Sequence, residues 1–85
     1  MDIKRSTEVH FGIEWEKYEI NSLPPTFFRG THWCIEFNKD KDCWELWRSL
    51  DLLFNSTVLT FVLMVARELV FENLSEQFIP MWERP

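Results

Sequence analysis

Glycine is scarce in this chain of 85 residues, which contains only Gly12 and Gly30. A phosphate-binding loop needs several glycines close together, so nucleotide-binding motifs of that kind are excluded. Two cysteines, Cys34 and Cys43, are too few for a disulfide framework. The spacings G-x-S-x-G, H-E-x-x-H and C-x-x-C are also missing from the sequence, so it carries no familiar catalytic or metal-binding motif.

Long apolar runs and long basic runs are missing as well. The most apolar stretch, 58–66, has Thr60 inside it, whereas a membrane-spanning helix needs about 20 apolar residues. The N-terminal segment has no apolar stretch of the kind found in signal peptides, so we expect a soluble cytoplasmic protein with reduced thiols. No cationic run exceeds Lys4-Arg5, and the net charge is −5. This balance disfavours direct binding to nucleic acid, which requires basic side chains to replace counterions.

Aromatic residues, by contrast, are abundant: the chain has 8 Phe, 5 Trp and 1 Tyr. Because each large ring can bury roughly 150–250 Å², these side chains can build the core of one small domain. We predict a single α+β domain over 1–85. Its last segment, 78–85, is predicted to be an irregular tail because Pro80 prevents a regular helix there.

Alternating apolar and polar residues in the first half predict a small antiparallel sheet. The strands are expected near 8–20 and 31–37, with 21–30 as the connection. When Trp15 is placed opposite Trp33, all the large apolar side chains share one face. That face would contain Phe11, Ile13, Trp15, Trp33, Ile35 and Phe37, and the opposite face Glu14, Glu16, His32 and Glu36.

The second half predicts two helices packed on this sheet, near 43–54 and 57–77. Asp42 is a favourable N-cap residue and Glu45 follows three positions later, as in a capping box. The apolar residues of 43–54 also recur at helical spacing, which puts one helical face together from Cys43, Leu46, Trp47, Leu50, Leu53 and Phe54. Trp47 and Leu50 on this face are expected to pack against the sheet. The stretch 57–65 is rich in β-branched residues, so a buried strand remains the alternative there.

A metal or catalytic site would have to be assembled from residues that are distant in sequence. His10, His32, Cys34 and Cys43 have the composition of a zinc site but lack the closely spaced ligand pairs of structural zinc sites. His32 and Cys34 with Glu16 have the composition of a nucleophilic set, although an open strand face offers no cleft. We therefore expect no enzyme activity, no cofactor and no metal. A zinc-binding protein or an enzyme using His32 and Cys34 remains an alternative.

A binding surface is the better supported interpretation. On the predicted first helix, Trp44 and Leu52 fall outside the core stripe with Arg48 between them, and Trp and Arg are common in interface hot spots. The predicted partner-binding residues are Trp44, Arg48, Leu52, Asp40, Asp42, Glu45, Met81 and Trp82. If Trp44 lies in the core instead, the acidic strand face at Glu14, Glu16 and Glu36 becomes the surface to test.

The overall character of the chain suggests a class of function. It is short, acidic, rich in aromatic residues and without catalytic motifs, which is typical of toxin-neutralising, immunity, antitoxin and phage-encoded inhibitor proteins. We expect a non-enzymatic protein that inhibits or neutralises a larger, basic protein such as a toxin, nuclease or host factor. A small accessory subunit of an obligate complex is the alternative. The sequence leaves the partner's identity and the oligomeric state open.

Overall fold

Six strands followed by one helix make up the fold in the computed structural model, which describes residues 2–77. Each strand pairs antiparallel with its neighbours in the chain, so the sheet order is the sequence order. The elements are β1 (Ile3–His10), β2 (Ile13–Ile20), β3 (Thr26–Arg29), β4 (Trp33–Asn38), β5 (Cys43–Arg48), β6 (Asp51–Ser56) and α1 (Leu59–Gln77). No helix in the described range is long and apolar enough to cross a membrane.

The prediction of a sheet packed on two helices is wrong, because the stretch near 43–54 forms β5 and β6. Asp42 does not cap a helix but lies in the turn before β5 with a φ of 53°. The Asn38 side-chain oxygen accepts hydrogen bonds from the backbone N–H groups of Asp40 and Lys41, which closes that turn. The helix expected near 57–77 is present as α1, and only in this broad sense is the fold α+β.

The predicted strand 8–20 is in fact a hairpin. Phe11 and Gly12 have φ values of 54° and 80° and form a two-residue turn between β1 and β2. Positive φ at both central positions fits the right-handed twist of the two strands, and glycine adopts it without steric cost. Phe11 therefore lies in the turn and not on the predicted sheet face.

The connection 21–30 contributes a strand of its own. Within it, β3 lies between β2 and β4, and Phe27 pairs with Lys17 on one side and Ile35 on the other. The predicted direct pairing of Trp15 with Trp33 is therefore wrong. The pairings nevertheless keep the other predicted residues on one face, namely Ile13, Trp15, Trp33, Ile35 and Phe37.

α1 covers this face of the sheet, which we call the covered face. Its buried strand side chains are Ile13, Trp15, Phe27, Ile35 and Leu46, and they pack against Val62, Leu63, Ala66 and Val70 of the helix. Two further core predictions fail. Trp47 points to the other side of the sheet, and Leu50 is exposed in the turn between β5 and β6.

The opposite side of the sheet, which we call the open face, is defined by strand side chains directed away from α1. Its members follow from the register of the strands and from alternation along each one. They are Ile3, Arg5, Thr7, Val9, Glu14, Glu16, Tyr18, Ile20, Thr26, Phe28, Cys34, Glu36, Asn38, Cys43, Glu45, Trp47, Leu52 and Asn55.

Candidate functional site

Trp44, the centre of the predicted binding patch, belongs to the covered face. Its ring lies beside those of Phe27 and Phe37, with centroid separations of 6.5 and 5.3 Å. The side chain is partly buried and packs against the core. Trp44 thus packs at the margin of the core. This is the alternative predicted from the sequence, in which the acidic strand face becomes the surface to test.

Arg48 and Leu52 are separated by the sheet. Arg48 lies over the ring of Trp33, 5.7 Å from its centroid, on the covered side. Leu52 pairs with Trp47 and lies on the open face. Because strand neighbours alternate between faces, the helical arrangement that would join these residues does not exist.

Of the remaining predicted patch residues, two lie in a turn, one is buried on the open face and two lie outside the described residues. Asp40 and Asp42 are exposed in the turn between β4 and β5. Met81 and Trp82 lie outside the described residues. That any of these residues binds a partner stays a prediction.

Glu45 is buried on the open face, with only 3% of its surface exposed. Its two carboxylate oxygens accept hydrogen bonds from Asn38 Nδ2 and Trp47 Nε1, each at 3.3 Å. Glu36 lies directly opposite in the register. These bonds satisfy Glu45 within the protein, so its part in the structure is to hold the Asn38 and Trp47 side chains.

The predicted zinc ligands are not brought together. His10 lies on the covered side of β1, Cys34 on the open face of β4, and His32 in the turn between β3 and β4. Cys43 is buried in β5. Among residues 2–77, no group of three His, Cys, Asp or Glu side chains is placed to hold a metal ion.

Cys34 is poorly suited to nucleophilic chemistry. Burial, and secondarily the nearby Glu36 carboxylate, raises the pKa of the Cys34 thiol to about 11. At neutral pH the thiol is therefore almost entirely protonated, whereas the thiolate is the reactive form.

His32 contacts Ser49 instead of Cys34. Its Nδ1 lies 2.9 Å from Ser49 Oγ, and Arg48 and Asp51 line the same shallow depression of about 230 Å³. The His32–Ser49 contact is exposed to water. A catalytic triad depends on a base oriented by a third group and on a protected oxyanion site, and an exposed turn supplies neither. The contact therefore serves to join two turns.

An apolar groove of about 380 Å³ crosses the open face. The rings of Tyr18 and Phe28 belong to its lining and meet edge to face, with centroids 5.4 Å apart. Pro24 and Leu23 reach it from the connection before β3, and Glu36 provides its charged margin. The full lining is Ile3, Tyr18, Ile20, Leu23, Pro24, Thr26, Phe28 and Glu36.

The acidic charge of the strands is concentrated on the open face. That face carries four carboxylates and one guanidinium: Glu14, Glu16, Glu36, Glu45 and Arg5. The covered face carries four cations and three carboxylates: Lys4, Lys17, Arg29, Arg48, Glu8, Glu19 and Asp51. Arg5 is itself paired with Glu16, at 3.0 Å. The open face thus has a net negative charge and an apolar centre.

The acidic strand face was recognisable from sequence alternation, but the groove was not. The sequence feature that corresponds to the groove is the change of phase after Glu16. There the apolar residues Tyr18 and Ile20 occupy even positions and so face away from the core. No family model, curated protein or solved structure matches this chain. The open face, with its groove and its charge, is therefore the basis for a functional proposal.

Proposed function

We propose that this chain is a non-enzymatic binding protein that inhibits or neutralises a larger, basic protein, and that it binds this partner through the open face. The supporting observation is the exposed apolar groove at Tyr18 and Phe28, bordered by carboxylates. A groove of this kind accepts an apolar or aromatic side chain, and burial of that side chain supplies most of the affinity.

The groove is held in shape before a partner arrives. The Tyr18 hydroxyl donates a hydrogen bond to Glu16 Oε2 at 3.2 Å, and the Arg5 guanidinium lies 5.8 Å from the Tyr18 ring centroid. The Phe28 ring contacts the Tyr18 ring edge to face. Because these side chains are already ordered, binding loses less conformational entropy than it would with free rotamers.

The carboxylates determine the sign of the partner. Glu36 lines the groove and has no ion-pair partner among residues 2–77, and the same is true of the Glu14 side chain. A partner that presents Lys or Arg around an apolar residue would pair with them. Such pairs mainly accelerate association and weaken as salt rises.

The first experiment is affinity capture from the native cell with three tagged chains: wild type, Phe28→Ala and Phe61→Ala. Phe61 is exposed on α1, so its variant removes the same side chain from a different surface. We expect wild type and Phe61→Ala to recover a basic protein that Phe28→Ala recovers at least about tenfold less well. Equal recovery by Phe28→Ala, or recovery of an acidic protein, would contradict the proposal.

Inhibition is tested on the captured protein after purification. Adding the wild-type chain should reduce its activity in proportion to the fraction bound, and Phe28→Ala should not do so at the same concentration. A partner that binds the open face but keeps its full activity would support a binding function and exclude an inhibitory one.

A further inference from the structure

β1 forms one edge of the sheet. Its eight residues pair with β2 without any shift of register. β6, at the other edge, has an irregular ladder near Leu46 and Trp47. A long regular edge presents a row of backbone N–H and C=O groups that another strand can bond, whereas bulges twist an edge away from such pairing.

The turn after β1 determines which backbone groups of this strand point away from β2. The two-residue turn at Phe11-Gly12 closes on the pair His10 and Ile13, which exchange hydrogen bonds as the last pair of the hairpin. Bonding alternates along the strand from that pair. The even-numbered residues of β1 therefore bond β2, and the N–H and C=O groups of Ile3, Arg5, Thr7 and Val9 point outward.

We propose that β1 pairs antiparallel with β1 of a second copy of this chain, centred on Ser6. In this register Lys4 lies opposite Glu8 of the other copy, and Ile3 lies opposite Val9. Ile3 and Val9 are 58% and 65% exposed in the isolated chain, so their contact buries apolar surface. Odd-numbered residues face odd-numbered residues, which lets the outward backbone groups bond one another.

Neighbouring registers are less favourable. A shift by two residues in one direction places Arg5 opposite Arg5 and Asp2 opposite Glu8. The opposite shift places Lys4 opposite His10 and leaves Arg5 opposite Val9. Like charges directly opposite each other destabilise a strand pair, so the charge pattern selects the register centred on Ser6.

The two charged residues are placed to form this contact. Lys4 is exposed and has no ion-pair partner within residues 2–77. The Glu8 carboxylate is held by Lys17 Nζ at 3.1 Å and His10 Nε2 at 3.0 Å. Lys4 of the second copy would therefore meet a carboxylate whose position is already fixed.

Pairing of this kind joins the two sheets into one around a two-fold axis perpendicular to them. Both open faces then lie on the same side. Ile3 lines the groove and also lies at the new junction, so the two grooves come to flank it. The self-association does not depend on the proposed function, because the backbone groups of the β1 edge can pair whether or not the groove binds a partner.

The first test measures the mass of the purified chain in solution by sedimentation equilibrium across micromolar concentrations. We expect a dimer that dissociates on dilution. Thr7→Pro removes an outward N–H while leaving the bonds to β2, and Thr7→Val keeps that N–H as the matched control. Thr7→Pro should be a monomer and Thr7→Val a dimer, each with the circular dichroism spectrum of the wild type.

A second test uses charge. Lys4→Glu and Glu8→Lys each create two like-charge contacts in the dimer and should raise its dissociation constant about tenfold or more. When the two variants are mixed, every carboxylate at these positions faces an ammonium group, so a mixed dimer should form. A monomeric wild type, or a dimer insensitive to both Thr7→Pro and these charge changes, would overturn the proposal.

Discussion

The two faces of the sheet are built from the same strands but differ in how deeply their apolar side chains are buried. On the covered face Ile13, Trp15 and Ile35 are almost wholly withdrawn from water beneath α1. On the open face Phe28 is 38% exposed, and Ile3 and Val9 are more so. Since burial of apolar surface is the main stabilising contribution to folding, the covered face accounts for the fold. The open face can therefore carry residues selected for recognition.

The largest expected effect comes from truncating one aromatic side chain on each face. Trp15→Ala should lower the free energy of unfolding by about 3–5 kcal/mol, because Trp15 is 1% exposed and leaves a large cavity. Phe28→Ala should lower it by only about 1–2 kcal/mol, since 38% of the Phe28 surface is already exposed to water. Urea unfolding of both variants checks this. Equal losses would show that the open face also belongs to the core.

The reactivity of the Cys34 thiol tests how far the open face is shielded from solvent at β4. With a pKa raised to about 11 by burial and by Glu36, Cys34 should contain roughly a hundredfold less thiolate at pH 8 than a cysteine of pKa 9. We expect slow alkylation that accelerates with each pH unit up to about 11. The measurement uses a Cys43→Ala variant, so that one thiol reports. Rapid alkylation at pH 8 would show that Cys34 is more open than the structure indicates.

Glu45 in β5 tests the contrast between the faces, because it belongs to the open face and is nevertheless buried. Glu45→Ala leaves the Asn38 amide and the Trp47 indole N–H without their acceptor, which should cost about 1–3 kcal/mol of unfolding free energy. Glu45→Gln keeps one acceptor oxygen and removes the charge opposite Glu36, so its loss should be smaller. Chemical unfolding of both variants distinguishes them. An unaffected Glu45→Ala would show that these hydrogen bonds do not stabilise the fold.

The smallest effect concerns Glu8 and Lys17 at the margin of the covered side. Hydrogen bonds from His10 and Lys17 lower the pKa of Glu8, and the bond to Glu8 raises the pKa of Lys17. Both carboxylate and ammonium are partly exposed, so Lys17→Met should cost less than about 1 kcal/mol. The stabilisation is present above the ordinary Glu pKa of 4.5 and is lost as pH falls through the lowered value.

Lys17 gives the matching limit at high pH. Because its pKa is raised, its contribution is present below the ordinary value of 10.5 and is lost as pH rises through the raised value. Unfolding of wild type and Lys17→Met is measured at pH 3 and at pH 7, and the difference in unfolding free energy between the two proteins is compared at these two pH values. A difference that is the same at both pH values would show that the methylene stem of Lys17, and not its charge, makes the contribution.

The contrast between faces also explains which elements the sequence could predict. Around Ile13, Trp15 and Ile35 the two faces differ in polarity, so alternation indicates strands. In β5 large side chains lie on both faces, as with Trp44 and Trp47, so alternation disappears and helical spacing arises by coincidence. The residues of β1 before Glu8 gave no strand signal because this strand lies at the edge and has a neighbour on one side only.

The candidate site was predictable only in its charge. Alternation placed Glu14, Glu16 and Glu36 together on the face away from the core, and the structure does the same. The groove depends on Phe28 and Leu23, which come from a segment interpreted as a connection. Its position beside Tyr18 follows from the insertion of β3 between two longer strands, a tertiary arrangement that short-range patterns do not specify.

Binding of the captured partner to a Glu14→Gln, Glu16→Gln, Glu36→Gln variant tests the recognition role of the open face most directly. We predict an affinity at least about tenfold lower, with most of the salt dependence of the association rate removed. The free energy of unfolding should stay within about 1 kcal/mol of the wild type, since Glu14 and Glu36 are exposed and the Arg5–Glu16 pair lies at the surface. A variant that binds with wild-type affinity and wild-type salt dependence would contradict the assignment of the open face as the binding surface.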